Sequence, residues 1–358
     1  MNHLILIAAG GTGGHIFPGL AVAEEMAKRA PDVRVEFVGS TAPLGLERRI
    51  VPKAGLKLHL LPVFPLNTSS ISTKLRGMTK LPWGIAKALA LLLKTKPSAV
   101  LGIGGYASGP LVLMASLLRI PTLLLEPNAV PGFTNRALKP FVRQAGCAFA
   151  STLPWFGDKG ILTGNPVRSS FRAMPEKAHR APLQLLCFGG SQGSRILSNA
   201  LVQAIPNLPG AEALTIVHQT GAAQFEQVQE SYRKAGREAS VTPFIDNMWE
   251  AFGNADLVLC RAGATTLAEL TVAGKAAVLV PLKSAAEDHQ TFNARALVAE
   301  GAAVMLAEGD LGTLGKVISG LVADPERIRQ IERRARALGK ADAATLVANL
   351  LSPWVKSV

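Results

Sequence analysis

Short apolar runs separated by stretches of helical period recur from Leu4 to Leu306, and this alternation limits the fold more than any other feature. In the first half the strand-like runs are Leu4–Ala8, Val33–Val38, Leu58–Val63, Val100–Gly102, Thr122–Leu125 and Gly146–Ala150. In the second half they are Gln184–Phe188, Leu214–His218, Val241–Phe244, Leu257–Cys260, Ala276–Val280 and Ala303–Leu306. Several are apolar without interruption, as expected for parallel strands covered on both faces. Repeated β-α units in two sets predict an α/β chain with two doubly wound domains. At 358 residues the chain is long enough for two cores. Gly164-Asn165-Pro166 is a strong chain breaker, and residues 173–182 are polar and contain proline, so the seam is expected here. Residues 1–164 and 165–341 then form the two domains, with a helix over about 342–358 expected to pack back on the first.

Charge divides the halves unequally. Residues 1–164 hold 18 Lys and Arg against 7 Asp and Glu, whereas residues 165–358 hold 20 against 18. No acidic residue falls between Glu47 and Glu126, an interval with eleven basic ones. Such a field suits anionic lipid, a pyrophosphate or nucleic acid, or is simply a solvated basic face. None of the usual nucleic-acid modules appears, so no nucleic-acid partner is expected. The stretch from Leu75 to Lys96 mixes Leu81, Trp83, Ile85, Leu89 and Leu92 with Arg76, Lys80, Lys87, Lys94 and Lys96. It reads either as a helix lying on an anionic membrane surface or as an ordinary helix with one face in the core. The longest apolar candidate for a membrane span, Ile85–Leu93, contains Lys87 and is far short of about 18 residues. The N-terminus lacks the basic flank of a signal peptide. Cys147, Cys187 and Cys260 lie far apart in apolar runs, which suggests buried thiols in a reducing compartment rather than disulfides or a zinc site.

Glycine-rich turns follow three of the strands: Gly10-Gly11-Thr12-Gly13-Gly14-His15, Gly102-Ile103-Gly104-Gly105-Tyr106 and Gly189-Gly190-Ser191-Gln192-Gly193-Ser194. Glycine lets backbone amides approach a ligand, and the following helix N-terminus favours negative charge. Tight β-to-α turns also use glycine for purely steric reasons. Position 16 is Ile, so the dinucleotide fingerprint fails, and no P-loop occurs. A further small-residue helix start, Arg261-Ala262-Gly263-Ala264-Thr265-Thr266-Leu267-Ala268-Glu269, places Arg261 to neutralise phosphate and Glu269 to accept bonds from ribose hydroxyls. No Asp-x-Asp pair is present, so no metal or other cofactor is expected, and pyrophosphate charge falls to helix dipoles, Arg and amides.

With these landmarks, together with Gly164-Asn165-Pro166-Val167-Arg168 and Cys260-Arg261-Ala262-Gly263, the sequence resembles the MurG family over nearly its whole length. The resemblance implies a GT-B fold, two Rossmann-like domains facing across a cleft. It implies inverting transfer of N-acetylglucosamine from UDP-N-acetylglucosamine to the 4-hydroxyl of undecaprenyl-pyrophosphoryl-N-acetylmuramoyl-pentapeptide. It further implies peptidoglycan synthesis at the cytoplasmic face of the cell membrane, with an anionic membrane surface as a partner. The first domain would take the acceptor and the second the donor.

By motif, the resemblance assigns the donor to Ser191, Arg168, Ile245 and Gln290, with Ala264, Thr265, Thr266, Leu267, Ala268 and Glu269. Thr12, Gly13, Gly14 and Asn128 would close on the sugar. His15 leads as general base, its alternative being a helix-capping role. Glu126 is the second candidate for base, or a structural hydrogen-bonding group, and Tyr106 lines the acceptor pocket or packs. The chain departs from the family at Pro127, where glutamine is usual, and in the acceptor segment over 63–77.

Overall fold

The computed structural model describes residues 3–42, 46–64, 71–190 and 192–355, with the side chains of 71–76 and 286 outside that description. The chain forms two compact units, residues 1–168 with 340–358, and residues 169–339. The break in sequence therefore follows Arg168, and the chain returns to the first unit at Lys340.

Unit 1 alternates β1 (Leu4–Ala8), α1 (Gly13–Arg29), β2 (Arg34–Ser40), α2 (Glu47–Lys53), β3 (Lys57–Leu61), α3 (Ile71–Thr95), β4 (Ala99–Gly102), α4 (Ser108–Leu117), β5 (Thr122–Glu126), α5 (Phe133–Leu138), β6 (Gln144–Cys147), α6 (Leu153–Phe156) and β7 (Gly160–Leu162). All its strand pairings are parallel, in the order β3-β2-β1-β4-β5-β6-β7. β1, β4 and β5 are buried at every position, as their unbroken apolar sequences require.

Unit 2 begins with α7 (Ser169–Arg172) and continues β8 (Leu183–Phe188), α8 (Arg195–Ala204), β9 (Leu214–Gln219), α9 (Phe225–Lys234), β10 (Ser240–Thr242), α10 (Met248–Asn254), β11 (Leu257–Cys260), α11 (Ala264–Ala273), β12 (Ala277–Leu279), α12 (His289–Ala299), β13 (Val304–Met305), α13 (Leu314–Val322) and α14 (Pro325–Leu338). Its parallel strands run β10-β9-β8-β11-β12-β13. Both sheets thus have the doubly wound, Rossmann-like order, which reverses beside the first strand of each unit. That reversal leaves a crevice at the carboxyl edge, between β1 and β4 in unit 1 and between β8 and β11 in unit 2.

The last helix, α15 (Ala343–Val355), belongs to unit 1. Val347, Ala348, Leu351 and Val355 join the core formed by Ile5, Ile7, Val22 and Met26. Arg29 Nη1 donates to Asn349 Oδ1 at 2.6 Å and Thr345 Oγ1 to Glu25 Oε1 at 2.8 Å, which fixes the helix against α1. The three cysteines are free and buried. Among the described residues no helix is long and apolar enough to cross a membrane.

β7 is absent from the strands expected by sequence. Gly160-Ile161-Leu162 is three residues long and, among the described residues, pairs with β6 alone, so its apolar run is too short to stand out in the sequence.

Candidate functional site

The crevice of unit 1 is built from two glycine loops whose backbones touch. A Cβ on Gly105 would lie 2.7 Å from Gly10 O, and one on Gly104 would lie 3.1 Å from His15 Nε2. Gly11, Gly104 and Gly105 also have φ of +88°, +105° and +76°, a region that side chains disfavour. Ser108 ties the loops together, its Oγ accepting from Gly104 N at 3.1 Å and donating to Ala8 O at 2.9 Å.

His15 stands in the first turn of α1, after an extended Thr12. Its Nδ1 is 3.3 Å from Gly10 O and 3.4 Å from Thr12 Oγ1. A carbonyl can only accept, so Nδ1 carries the proton and Nε2 the lone pair. That tautomer suits the imidazole to receive a proton at Nε2. Arg168 lies 4.8 Å over the Phe17 ring, one turn along from Gly13 and Gly14, so its guanidinium belongs to unit 1. Tyr106 is partly exposed beside Gly11, and burial raises its phenol pKa, keeping it neutral.

Glu126, at the end of β5, is 1% exposed. Its Oε1 accepts from Asn128 N at 3.0 Å and Asn128 Nδ2 at 3.2 Å; its Oε2 accepts from Gly132 N at 3.0 Å and Asn135 Nδ2 at 2.8 Å. Burial pushes the carboxyl pKa up, and these hydrogen bonds partly offset that rise. Four donors on two oxygens describe a clamp that closes the loop 127–132. None of the donors belongs to residue 127, where proline has no N–H to give. Asn135 is a site residue that sequence reading missed. It is buried, donates also to Leu125 O at 3.1 Å, and lies beside Gly104 and therefore beside His15.

In unit 2 Gln192 and Gly193 interlock with the turn after β9. A Cβ on Gly193 would meet Thr220 O at 1.7 Å, and one on Gly221 would meet Gln192 O at 2.1 Å. Ser194 caps α8 by accepting from Leu197 N at 3.4 Å. Ser191 lies outside the described residues. Across the crevice α11 opens at Ala264 after an extended Gly263, with no side-chain cap and no acid in its first turn. Its leading amides thus present the positive end of the helix dipole. Ala264, Thr265, Leu267 and Glu269 are buried, whereas Thr266 and Ala268 are half-buried. Ile245 is half-buried in the segment after β10.

Arg261 is engaged within unit 2 through one nitrogen of its guanidinium. It is 9% exposed, and its Nη1 donates to Val280 O at 3.2 Å, Pro281 O at 3.1 Å and Glu308 Oε1 at 2.7 Å. The guanidinium braces the β11 and β12 ends, and Glu308 balances its charge. Gln290 Oε1 accepts from Leu282 N at 3.0 Å, which orients the amide and turns its NH2 group away from that bond. Just before α12, Glu287 and Asp288 both adopt left-handed backbone (φ 54° and 52°), and Asp288 Oδ1 accepts from Thr291 Oγ1 at 2.6 Å. Asn293, fully buried, ties α12 to Ala262 O at 3.3 Å. Among the described residues no cluster of three or more His, Cys, Asp or Glu is arranged to hold a metal.

Of the residues expected in the site, Thr12, Gly13, Gly14, His15, Tyr106, Glu126, Asn128 and Arg168 belong to unit 1, and Ile245, Arg261, Ala264 to Glu269 and Gln290 to unit 2. Residues 5–147 match the glycosyltransferase family 28 N-terminal domain, and residues 184–347 match the family 28 C-terminal domain. A UDP-N-acetylglucosamine–N-acetylmuramyl-(pentapeptide) pyrophosphoryl-undecaprenol N-acetylglucosamine transferase of Anaeromyxobacter sp. (strain Fw109-5) is 46% identical over 359 residues, covering 98% of this chain and 93% of its own. The protein of the same name from Myxococcus xanthus (strain DK1622) is 43% identical over 352 residues, covering 97% of this chain and 91% of its own. Acinetobacter baumannii MurG superposes with a TM-score of 0.77 at 32% identity, over 98% of this chain and 99% of its own. The UDP-GlcNAc 2-epimerase of Neisseria meningitidis reaches a TM-score of 0.69 at 13% identity, covering 99% of this chain and 100% of its own, a likeness of fold alone.

Proposed function

We infer the reaction from one premise: this chain belongs to the MurG family within glycosyltransferase family 28. It transfers N-acetylglucosamine from UDP-N-acetylglucosamine to undecaprenyl-pyrophosphoryl-N-acetylmuramoyl-pentapeptide, a step of peptidoglycan synthesis.

In our reading unit 1 takes the lipid-linked acceptor and unit 2 the nucleotide sugar. His15 Nε2 removes the proton from the acceptor 4-hydroxyl as that oxygen attacks C1 of the donor sugar. The bond from C1 to the β-phosphate oxygen breaks, UDP leaves, and the α linkage becomes β. The single observation that carries the assignment is the Gly10 carbonyl at His15 Nδ1, which leaves the lone pair on Nε2. Glu126 and Asn135 hold the neighbouring loop rather than move a proton. The amides of the Gly189–Gly193 loop and of the α11 start receive the pyrophosphate charge, Glu269 binds ribose, and Gln290 contacts the sugar.

Unit 1 meets the cytoplasmic face of the cell membrane as a peripheral protein. Trp83 and Leu93 on α3 are more than half exposed, and Lys87 Nζ sits 5.1 Å from the Trp83 ring. Apolar side chains among basic ones suit the interface of an anionic bilayer.

His15→Ala and Glu269→Ala separate the two halves of the reading. The first should abolish most turnover while UDP-N-acetylglucosamine affinity, measured by calorimetry, holds; the second should weaken that affinity. Turnover within a few-fold of wild type in His15→Ala refutes the base assignment.

A further inference from the structure

The helix start that carries His15 is fixed by a carboxylate from a different element. Glu47, the first residue of α2, is completely buried. Its Oε2 accepts from Gly11 N at 3.1 Å and its Oε1 from Ser40 N at 3.0 Å. The backbone is stripped of side chains to admit it: a Cβ on Gly39 would lie 2.6 Å from Glu47 Cγ, and one on Gly10 would lie 3.0 Å from Oε1. The ends of β1 and β2 are thus shaped around one acidic group.

The amide that Glu47 receives and the carbonyl that His15 meets belong to the same peptide group. Gly11 N–H points at Glu47, and Gly10 C=O, 3.3 Å from His15 Nδ1, points at the imidazole. A carboxylate on the N–H side of an amide draws its hydrogen and strengthens its oxygen as an acceptor, because chained hydrogen bonds polarise one another. A stronger acceptor at Nδ1–H favours the protonated ring and raises the proton affinity of Nε2.

We propose that Glu47 is a positioning residue that acts on His15 through the Gly10–Gly11 peptide group, holding the ring as the Nδ1–H tautomer and making Nε2 a stronger base. The proposal rests on the reading of His15 as the base. Among the described residues, other titratable or charged groups stand on the elements packed around this ring. Tyr106 approaches from the loop after β4, Glu126 stands behind Asn135 at the end of β5, and Arg168 lies on Phe17 of α1. Glu47 alone among these four reaches His15 through the backbone atom that sets its tautomer.

The test is Glu47→Gln in the full chain, which keeps the shape of the side chain and removes its charge. Acceptor-dependent kcat/KM is measured against pH. Expected is a loss of about tenfold in turnover and a fall of about half a pH unit or more in the midpoint of the acidic limb, since the ring loses a nearby negative charge. Donor affinity should stay unchanged. A drop in turnover with an unmoved acidic limb means that Glu47 is only structural and overturns the proposal; unchanged turnover also overturns it. Should the variant fail to fold, the 15N shifts of His15 in the wild-type enzyme decide. The Nδ1–H tautomer is required, and the Nε2–H tautomer is a refutation. If His15→Ala retains turnover, the base reading itself has failed, an outcome separate from both of these.

Discussion

His218 offers a stability test whose size follows from its surroundings. It lies in β9 with no exposed surface, Nε2 at 3.2 Å from Ser198 Oγ and Nδ1 at 3.1 Å from Tyr232 OH, whose ring meets it edge-on at 5.9 Å. Both partners are hydroxyls, so nothing there compensates a charge, and burial drives the imidazole from its usual 6.5 down to about 4. In the unfolded chain the ring binds a proton near pH 6.5, while in the folded chain it resists until about pH 4. The folded state is therefore favoured fully above the unfolded value, and the advantage disappears as pH falls through about 4. The interval corresponds to about 3 kcal/mol, most of it lost between pH 7.5 and 4.5. Urea unfolding of wild type and His218→Gln, followed by circular dichroism, isolates this contribution because every other titrating group is common to both. The variant is the less stable protein at pH 7.5, and most of the gap of about 3 kcal/mol should close by pH 4.5. A gap that stays constant between the two pH values would mean that burial of His218 carries no pH-dependent stability.

Two other perturbations bear on the candidate sites. Gly193→Ala combines a φ of +74° with a Cβ 1.7 Å from Thr220 O, so the loop must move. We expect a stability loss of at least about 2 kcal/mol and a UDP affinity at least about tenfold weaker, read by thermal unfolding and calorimetry; native values for both would contradict the interlocked-loop account. Reversing Lys80, Lys87 and Lys94 to Glu should lower binding to vesicles containing anionic lipid by about 1 kcal/mol or more per residue at low salt, with no effect on neutral vesicles. Unchanged sedimentation with anionic vesicles would remove α3 from the membrane surface.

What could be read from sequence was whatever local chemistry determines. β1, β4, β5, β8 and β11 are legible because each is an apolar run covered on both faces, and their pattern yields the doubly wound order. The glycine loops are legible because their backbone conformations exclude side chains. Contacts made at long range were not. Glu47 reaches Gly11 across 36 positions, and nothing near it in sequence marks it as part of a site. Asn135 looks like any polar residue in a short helix until β5 brings Glu126 to it. The carboxylate that Arg261 meets, Glu308, lies 47 residues away. The acceptor segment over 65–70 lies outside the described residues.

A transferase of this kind turns over only when both substrates are present. UDP release from UDP-N-acetylglucosamine should be measured with and without an undecaprenyl-pyrophosphoryl-N-acetylmuramoyl-pentapeptide acceptor. Release should depend on the acceptor and yield a lipid-linked disaccharide with a β linkage. Release of UDP at the same rate without acceptor would contradict transfer and point to hydrolysis or epimerisation on the same fold.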